Sequence, residues 1–221
     1  MTDESLRKAL LRCPLFGGLS REVLTGSVEN ATVRTYSDGE VIDPADADGT
    51  PLLIVLAEGK ATAAPSNAGH NVLLRFLGAG DLFGIANLFS DTPTVSKVRA
   101  SGDCTCLLFS ENTVRALLDS DRGFRQNYIG YLSGRVRFLN RKIGYLTAGS
   151  AERRLALYLA GLGQGEVTLT ESISSLSDLL NLGRASLYRA FDRLTADGYL
   201  VKNGKHLTLP DPAAMLAHYN Q

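Results

Sequence analysis

Cysteine is scarce in this sequence, which contains only Cys13, Cys104 and Cys106. Three scattered cysteines are too few to build a disulfide framework. Cys104 and Cys106 lie two residues apart in a strand-like run, so we expect both side chains on the same face of a strand. They are interpreted either as small core residues or as a thiol sensor or half of a metal site, and the sequence has no second pair of soft ligands to complete such a site.

Histidine and long apolar runs are also scarce. His70, His206 and His218 are isolated from one another in the sequence and match no metal-ligand spacing. The longest apolar runs, such as residues 51–57, are far too short to span a bilayer, and the polar residues 1–8 are not typical of a signal peptide. The sequence therefore predicts a cytoplasmic protein with no metal site and no membrane contact.

An excess of charge of either sign is absent as well. The 221 residues include 23 Lys and Arg and 23 Asp and Glu, which gives a formal net charge of zero. This balance excludes a protein coated all over with basic residues, although a local basic patch is enough to bind DNA. The length allows one large domain or two small ones, and the apolar content of 44% is ordinary for a folded protein.

The first hundred residues are rich in short apolar segments that are separated by turn-forming residues. Many short strands at even spacing are typical of an all-β roll or barrel. A helix over residues 5–11 and a second helix that begins at Ser20, a good N-cap, precede the strands. The predicted strands cover residues 31–36, 52–56, 60–64, 72–77, 97–100 and 105–109.

From Ser110 onward the residues favour helix, in two pieces that are broken around residues 120–123. In the second piece apolar residues are spaced alternately three and four apart, which is the spacing of a heptad seam. Such a seam either pairs with a second chain or packs on its own domain, and we favour a dimer. Gly130, Gly134 and Gly144 weaken the isolated helix, so contacts must hold it. The seam consists of Ile129, Leu132, Val136, Leu139, Ile143 and Leu146.

After a break at residues 147–150, the sequence predicts two short helices joined by a tight turn. Ser172 opens the first helix as its N-cap, residues 181–183 form the turn, and the second helix runs over residues 184–194. A helix over residues 151–161 and a short strand over residues 167–169 precede them. The side chains expected to pack inward from the second helix are Leu187, Ala190, Phe191 and Leu194.

A β-hairpin is predicted after the second helix. Residues 199–201 are expected to pair with residues 206–209 across Asn203-Gly204, a strong hairpin signal. Two helices followed by a hairpin form a winged helix-turn-helix, which either enters the major groove of DNA or docks on a protein, and we favour DNA. Arginines can read guanine edges, while hydroxyls and lysines hold phosphates. The candidate DNA contacts are Ser172, Arg184, Ser186, Tyr188, Arg189, Arg193, Lys202 and Lys205.

The order and spacing of these features resemble the Crp/Fnr family of bacterial transcription regulators over nearly the whole chain. The resemblance implies an α+β protein with a cyclic-nucleotide-binding-like β-roll over residues 1–110. A linker and dimerisation helix over residues 111–148 and a winged helix-turn-helix over residues 149–221 would follow. The matching motifs are Pro14-Leu15-Phe16, Leu19-Ser20, Tyr36, Gly39-Glu40, Ile42, residues 52–59, Leu77-Gly78, Gly80-Asp81, Phe83-Gly84, Leu88-Phe89 and Val98-Arg99-Ala100.

The second helix of the helix-turn-helix departs from the family pattern at its start. Family members usually begin it with Ser-Arg-Glu-Thr, whereas this chain has Gly183-Arg184-Ala185-Ser186, and Arg189 stands in the place of a later arginine. The resemblance therefore implies that Arg184 and Arg189 contact bases. Ala185 replaces a glutamate that accepts a hydrogen bond from a cytosine amino group, so we expect an operator that differs from the usual half-site.

The predicted effector pocket departs further. Ile85 stands where cyclic-nucleotide-binding members carry a glutamate for the ribose, and Thr94 and Val95 stand where they carry an arginine for the phosphate. An anionic phosphate needs charge-assisted donors to leave water, and only Lys97 or Arg99 could substitute. We therefore do not expect the usual binding of cyclic AMP. The candidate pocket consists of Phe83, Gly84, Ile85, Ala86, Asn87, Leu88, Lys97 and Arg99.

Three interpretations of the roll stay open. It binds a small organic effector other than cyclic AMP, it binds a cyclic nucleotide in a rebuilt pocket, or it has a filled core and no ligand. A metal-dependent cupin-like enzyme needs clustered histidines, and only His70 lies in the β region, so no catalytic activity is expected. The expected partners are pseudo-palindromic double-stranded DNA, a second copy of the chain and RNA polymerase.

Overall fold

The computed structural model describes residues 2–65, 75–90 and 96–219 of the chain. These residues form helices and antiparallel sheets in an α+β fold, as the sequence predicts. The chain divides into two compact units, Met1–Ser133 and Gly134–Gln221, and the division falls within one long helix, α4 (Arg122–Thr147). The finer partition at residues 110 and 148 stays a prediction.

Polar caps set the ends of the helices in the first unit. Ser20 caps α2 (Arg21–Glu29) through its side chain, as the sequence predicts. The Ser110 hydroxyl accepts the N–H of Thr113 at 3.2 Å at the start of α3 (Glu111–Ser120). Asp121 accepts the N–H of Phe124 at 2.6 Å, and α4 begins two residues after α3 ends. The helices before α4 are α1 (Asp3–Arg12), α2 (Arg21–Glu29) and α3 (Glu111–Ser120). Among the residues that the structure describes, no helix has the length and apolarity needed to cross a membrane.

Two antiparallel sheets form the β-roll of the first unit. Its strands are β1 (Thr32–Tyr36), β2 (Val41–Ile42), β3 (Leu52–Glu58), β4 (Lys60–Pro65), β5 (Arg75–Gly78), β6 (Leu82–Phe83), β7 (Ser96–Ala100) and β8 (Cys104–Ser110). They pair in the orders β1-β8-β3-β6 and β2-β7-β4-β5. The sequence missed β2 and β6, because two residues are too few to show a period. The first residues of the predicted strand over 72–77, residues 72–74, lie outside the described residues.

Two hydrophobic cores lie on opposite faces of the first sheet. Leu53 and Val55 of β3 face the core beneath the helices, whereas Ile54 and Leu56 face the core between the sheets, because successive side chains of a strand point to opposite faces. β3 is therefore apolar at every position from residue 52 to residue 57. The core between the sheets, here called the roll interior, consists of Tyr36, Ile42, Leu52, Ile54, Leu56, Ala61, Leu77, Val98, Ala100, Cys104, Cys106 and Leu108.

The second unit combines helices with a three-stranded sheet. Its elements after α4 are α5 (Ala151–Ala160), β9 (Gly165–Thr168), α6 (Ile173–Leu180), α7 (Arg184–Ala196), β10 (Val201–Asn203), β11 (His206–Leu209) and α8 (Pro212–His218). The strands pair in the order β10-β11-β9. α8 is not among the elements expected from the sequence, although Asp211 caps it by accepting the N–H of Ala214 at 2.9 Å and Pro212 occupies its first position.

The hairpin begins two residues later than the sequence predicted. The N–H of Tyr199 donates to the carbonyl of Leu194 in α7 at 3.0 Å, so this segment closes the helix instead of pairing in the sheet. Asn203 pairs with His206 across a two-residue loop whose first residue is Gly204 at φ +61°. A positive φ suits the primed turns of two-residue hairpins, so the Asn-Gly signal located the hairpin.

Candidate nucleic-acid interface and effector region

A tight turn joins α6 to α7 and sets the direction of the second helix. Asn181 ends α6 in the left-handed conformation at φ +51°, and the N–H of Leu182 donates to the carbonyl of Ser177 at 2.9 Å. Gly183 is the N-cap of α7 and has no side chain to bond the first backbone N–H groups of the helix. The first backbone N–H groups of α7 are therefore not occupied by a capping side chain and can donate to an anion.

α7 turns an apolar stripe inward and a polar face outward. The buried stripe is the predicted one, Leu187, Ala190, Phe191 and Leu194, and none of these side chains is more than 2% exposed. Arg184, Tyr188 and Arg189 are exposed, and Ser186 is half-buried. The packing of the stripe thus determines which side chains α7 presents to a partner.

Neutral hydroxyl groups hold the first two arginines of α7. Nη2 of Arg184 donates to Oγ of Ser174 at 3.0 Å, and Nη2 of Arg189 donates to Oγ of Ser186 at 3.1 Å. Each guanidinium donates one bond to its serine, whereas a phosphate or a guanine edge can accept two parallel bonds from the same group. Both guanidinium groups can therefore exchange a single contact for a bidentate one with a base edge or a phosphate.

Asp197, which directly follows α7, binds the third arginine. Its carboxylate accepts Nε of Arg193 at 3.0 Å and the hydroxyl of Tyr219 at 2.7 Å, and Nε2 of His218 lies 3.8 Å away. The hydrogen bond from Tyr219, together with the charge of Arg193, lowers the pKa of Asp197 below its usual value. Arg193 is exposed, as a DNA contact requires, but this carboxylate competes with a phosphate for it.

The predicted contacts outside α7 differ in their surroundings. Lys205 is exposed in the loop that joins β10 to β11. Lys202 is exposed and pairs with the buried Leu207, and its Nζ lies 5.5 Å from the centroid of the Phe191 ring, so it lies against α7. Ser172 is exposed and caps α6 through its hydroxyl. These positions are compatible with phosphate contacts on both sides of α7, and the DNA roles themselves stay predictions.

Arg154 of α5 supports the turn, a role that the sequence pattern did not indicate. Its Nη1 donates to the carbonyls of Leu180 at 3.3 Å and Asn181 at 3.2 Å. These are carbonyls at the end of α6, which have no partner within the helix. No local pattern could have indicated a contact between residues that are 26 and 27 positions apart.

The predicted seam of α4 is exposed along its whole length. The exposed fraction ranges from 37% for Leu132 to 58% for Ile129. Tyr145, on another face of the same helix, is buried in the core of the second unit. A contiguous exposed apolar surface is typical of a protein–protein interaction site. The other exposed seam residues are Val136, Leu139, Ile143 and Leu146.

The predicted effector segment, which begins in β6 at Phe83, is divided between the two cores. Phe83 is half-buried and packs against the roll interior, whereas Ile85 and Leu88 pack against the core beneath the helices. Gly84 has φ +83°, and a Cβ there would lie 2.1 Å from the carbonyl oxygen of Leu52, so only glycine fits. The remaining predicted residues of this segment are the exposed Ala86 and the half-buried Asn87.

Arg99 lies on the outer face of the second sheet. Its neighbours Val98 and Ala100 point into the roll interior, while Arg99 is exposed and donates from Nη1 to the carbonyl of Gly39 at 3.0 Å. The structure therefore does not bring Arg99 together with the other predicted pocket residues. The side chain of Lys97 lies outside the described residues, as do Thr94 and Val95.

Cys104 and Cys106 both point into the roll interior, which confirms the prediction that they share a face. Burial raises the pKa of both thiols, and it raises the pKa of Cys13, which is buried beneath the helices, to about 12. Because the thiolate is the reactive and metal-binding form, burial favours their interpretation as core residues. Within the described ranges, no group of three or more His, Cys, Asp and Glu side chains is arranged to hold a metal ion.

Comparison with known protein families identifies one domain of the chain. Residues 33–121 match the family model of the cyclic nucleotide-binding domain. The match runs from β1 to the residue after α3, so it includes both sheets of the roll. No curated protein sequence matches the chain closely enough to count as a relative.

Solved structures share the fold over nearly the whole chain. The Catabolite Activator Protein of Thermus thermophilus is 24% identical, with 94% of this chain and 98% of that chain covered and a TM-score of 0.56. A mutant of CooA from Carboxydothermus hydrogenoformans is 20% identical, with coverages of 90% and 94% and a TM-score of 0.60. CprK complexed with OCPA is 17% identical, with coverages of 89% and 93% and a TM-score of 0.63. Residues 33–121 therefore match a cyclic nucleotide-binding domain, and the chain has the fold of the Catabolite Activator Protein, CooA and CprK, in agreement with its resemblance to the Crp/Fnr family.

Proposed function

We propose that the protein is a homodimeric transcription regulator that binds a pseudo-palindromic DNA site in a sequence-specific manner. The observation that carries this proposal is the exposed polar face of α7, on which Arg184 and Arg189 are held only by neutral hydroxyl groups. Because the chain has no net charge, its attraction to DNA must come from local groups such as these. RNA polymerase is a further partner in this proposal.

α7 acts as the recognition helix in this proposal. The major groove of DNA admits an α-helix, and arginine can donate two parallel hydrogen bonds to O6 and N7 of guanine. Arg184 lies at the start of α7 and Arg189 more than one turn further on, so they reach different bases. Lys202, Lys205 and the hydroxyl of Ser186 contact phosphates, which sets the register and makes the affinity depend on salt.

Two chains pair along the seam of α4. Pairing removes its exposed apolar side chains from water, which favours association by about 25 cal/mol for each Å² of apolar surface that is buried. The two recognition helices then face successive major grooves, about 34–36 Å apart. A site with two related half-sites follows from this symmetry.

We further propose that the β-roll responds to a small-molecule effector other than cyclic AMP. Two observations support this: Arg99 points outward, and the side chains of the roll interior are almost all apolar. The same fold accommodates different ligands, since CprK was solved complexed with OCPA and CLP of Xanthomonas campestris is described as c-di-GMP responsive. An effector changes DNA affinity only if it binds two arrangements of the dimer with different affinity.

A cyclic nucleotide in a rebuilt pocket is the second candidate effector. The match of residues 33–121 to the cyclic nucleotide-binding domain favours it. Titration calorimetry of the full chain with cyclic AMP and cyclic GMP separates the two candidates. Our proposal expects no saturable heat from cyclic AMP, and saturable binding of one nucleotide per chain would replace it with the second candidate.

Substitution of Arg184 tests the proposed recognition of DNA. The Arg184→Ala variant should lose about 1–3 kcal/mol of binding free energy on a selected operator, because one guanine contact is lost, and it should relax the preference at one base position. Dissociation constants for the operator, its single-base variants and random DNA measure both effects. Arg21→Ala, which removes an exposed arginine from the first unit, is the matched control. A wild-type chain that prefers no sequence over random DNA would contradict the proposal.

A further inference from the structure

The outermost stripe of α7 carries a carboxylate. A helix turns by about 100° per residue, so the positions directly opposite the buried stripe are residues 185, 189, 192 and 196. Ala185, Arg189, Asp192 and Ala196 are all exposed there. Asp192 is the one acidic residue in α7, and it lies in the middle of the face that would meet a partner.

Asp192 is left open as an acceptor. Among the described residues, none forms a hydrogen bond or an ion pair with its carboxylate. Arg189, three residues earlier, is within reach of it on a helix, but Arg189 donates to Ser186 in the preceding turn. Arg193 donates in the other direction, to Asp197. The helix thus presents an unpaired anion between two cations that are engaged elsewhere.

A carboxylate on a DNA-binding face can satisfy its acceptors only at a few places. It accepts hydrogen bonds and donates none, and phosphates repel it. In the major groove the base donors are the N4 amino group of cytosine and the N6 amino group of adenine, whereas guanine and thymine offer acceptors at the corresponding edge. An approach of Asp192 to DNA is therefore favourable only beside an amino group.

We propose, on the basis of the function proposed above, that Asp192 is a specificity-determining residue that selects cytosine or adenine on the strand it faces. Arg189 lies about 4.5 Å earlier along the helix axis, which is comparable to the separation of about 3.4 Å between base pairs. The two residues therefore read neighbouring base pairs. Each half-site contains a guanine that Arg189 contacts. Beside it lies a cytosine or an adenine whose amino group donates a hydrogen bond to Asp192.

Selection from randomised duplex DNA with the full-length chain tests this inference. Wild type should select cytosine or adenine at one position next to a guanine, and inverting that base pair should weaken binding by at least about fivefold. In the Asp192→Ala variant, inverting that base pair should no longer change the binding affinity, while the base preferences at the other positions stay the same. Asp192→Asn should shift the preference towards adenine, because an amide pairs with N6 and N7 of adenine. Glu166→Ala removes an exposed carboxylate from β9 of the same unit and should keep the wild-type profile.

The same selection experiment distinguishes a failure of this inference from a failure of the proposed function. If Asp192→Ala tightens binding to all sequences equally, the carboxylate only repels phosphates, and the inference is overturned while the proposed function stands. An unchanged profile in both Asp192 variants overturns it as well, because the side chain then contacts no base. If wild type selects no sequence, the proposed function fails, and the role of Asp192 fails with it.

Discussion

Tyr158 and Glu171 show how a single pair of side chains joins α5 to the segment before α6. The hydroxyl of Tyr158 donates to Oε2 of Glu171, and Oγ1 of Thr170 donates to the same oxygen at 2.8 Å. Burial alone raises the pKa of Glu171, but the hydrogen bonds outweigh it and leave that pKa below its usual value. Burial and the neighbouring carboxylate raise the pKa of Tyr158. Both shifts indicate that the pair is built around an ionised Glu171.

The Tyr158→Phe variant should therefore lose stability in a pH-dependent way. The native pKa of Glu171 lies below its unfolded value of 4.5, so the hydrogen bond stabilises the fold fully above that value and loses its effect as the pH falls through the lowered pKa. Near neutral pH we expect a loss of about 1 kcal/mol in the free energy of unfolding, since the carboxylate is partly exposed to solvent. Urea denaturation between about pH 7 and pH 3 measures this, with Tyr131→Phe as the control. A loss that is constant over this range would contradict the prediction.

Gly130 of α4 lies at a position where the structure does not require a glycine. A Cβ built on Gly130 would meet no atom within 4 Å, and this residue has an ordinary helical backbone. Gly84 is the opposite case, because its φ is +83° and its Cβ would collide with the Leu52 carbonyl. The same residue type is thus dispensable in one element and required in another.

Gly130→Ala should raise the free energy of unfolding by about 0.5–1 kcal/mol, because alanine loses less backbone entropy in a helix. Gly84→Ala, the matched control, should lower it by more than about 1 kcal/mol, because the new Cβ strains the backbone. Thermal unfolding of the two variants beside wild type compares these effects. A destabilising Gly130→Ala would mean that another chain approaches α4 closely at this face.

The elements with long periodic patterns were predictable, and the short ones were not. Ser172 and the inward stripe of α7 were found from caps and spacing, which are local signals. β2 and β6 were missed because two residues show no alternation. α8 was missed although Asp211 and Pro212 mark its start, because seven residues give a weak pattern. Of the candidate site, the exposed face of α7 was predicted, but the support from Arg154 was not.

The proposed assembly of two chains would decide whether the proposed DNA-binding site can bind an operator with two half-sites. Val136 lies on the seam, and in the single chain its exposed fraction is 57%. A charge placed at this position would be buried only in the proposed dimer. Burying an unpaired charge is costly, so a charge on the seam should separate the chains without disturbing the fold of either unit.

Val136→Glu should therefore shift the protein from dimer to monomer, and it should weaken binding to a two-half-site operator by more than tenfold. The control Arg137→Glu places the same side chain at the next position, off the seam, where it stays in solvent. Sedimentation analysis measures the oligomeric state, and fluorescence anisotropy measures the affinity for the operator. A dimer that persists in Val136→Glu would show that the seam is not the interface.

The sequence by itself determined the types of the longer elements, the inward stripe of α7, the seam of α4 and the resemblance to the Crp/Fnr fold, because periodicity, caps and turn residues act over a few neighbouring positions. Only the tertiary structure decided that Arg99 faces outward, that Tyr219 binds Asp197, and that the effector segment divides between two cores. These outcomes depend on which distant residues meet once the sheets and helices pack, and no local pattern encodes that meeting.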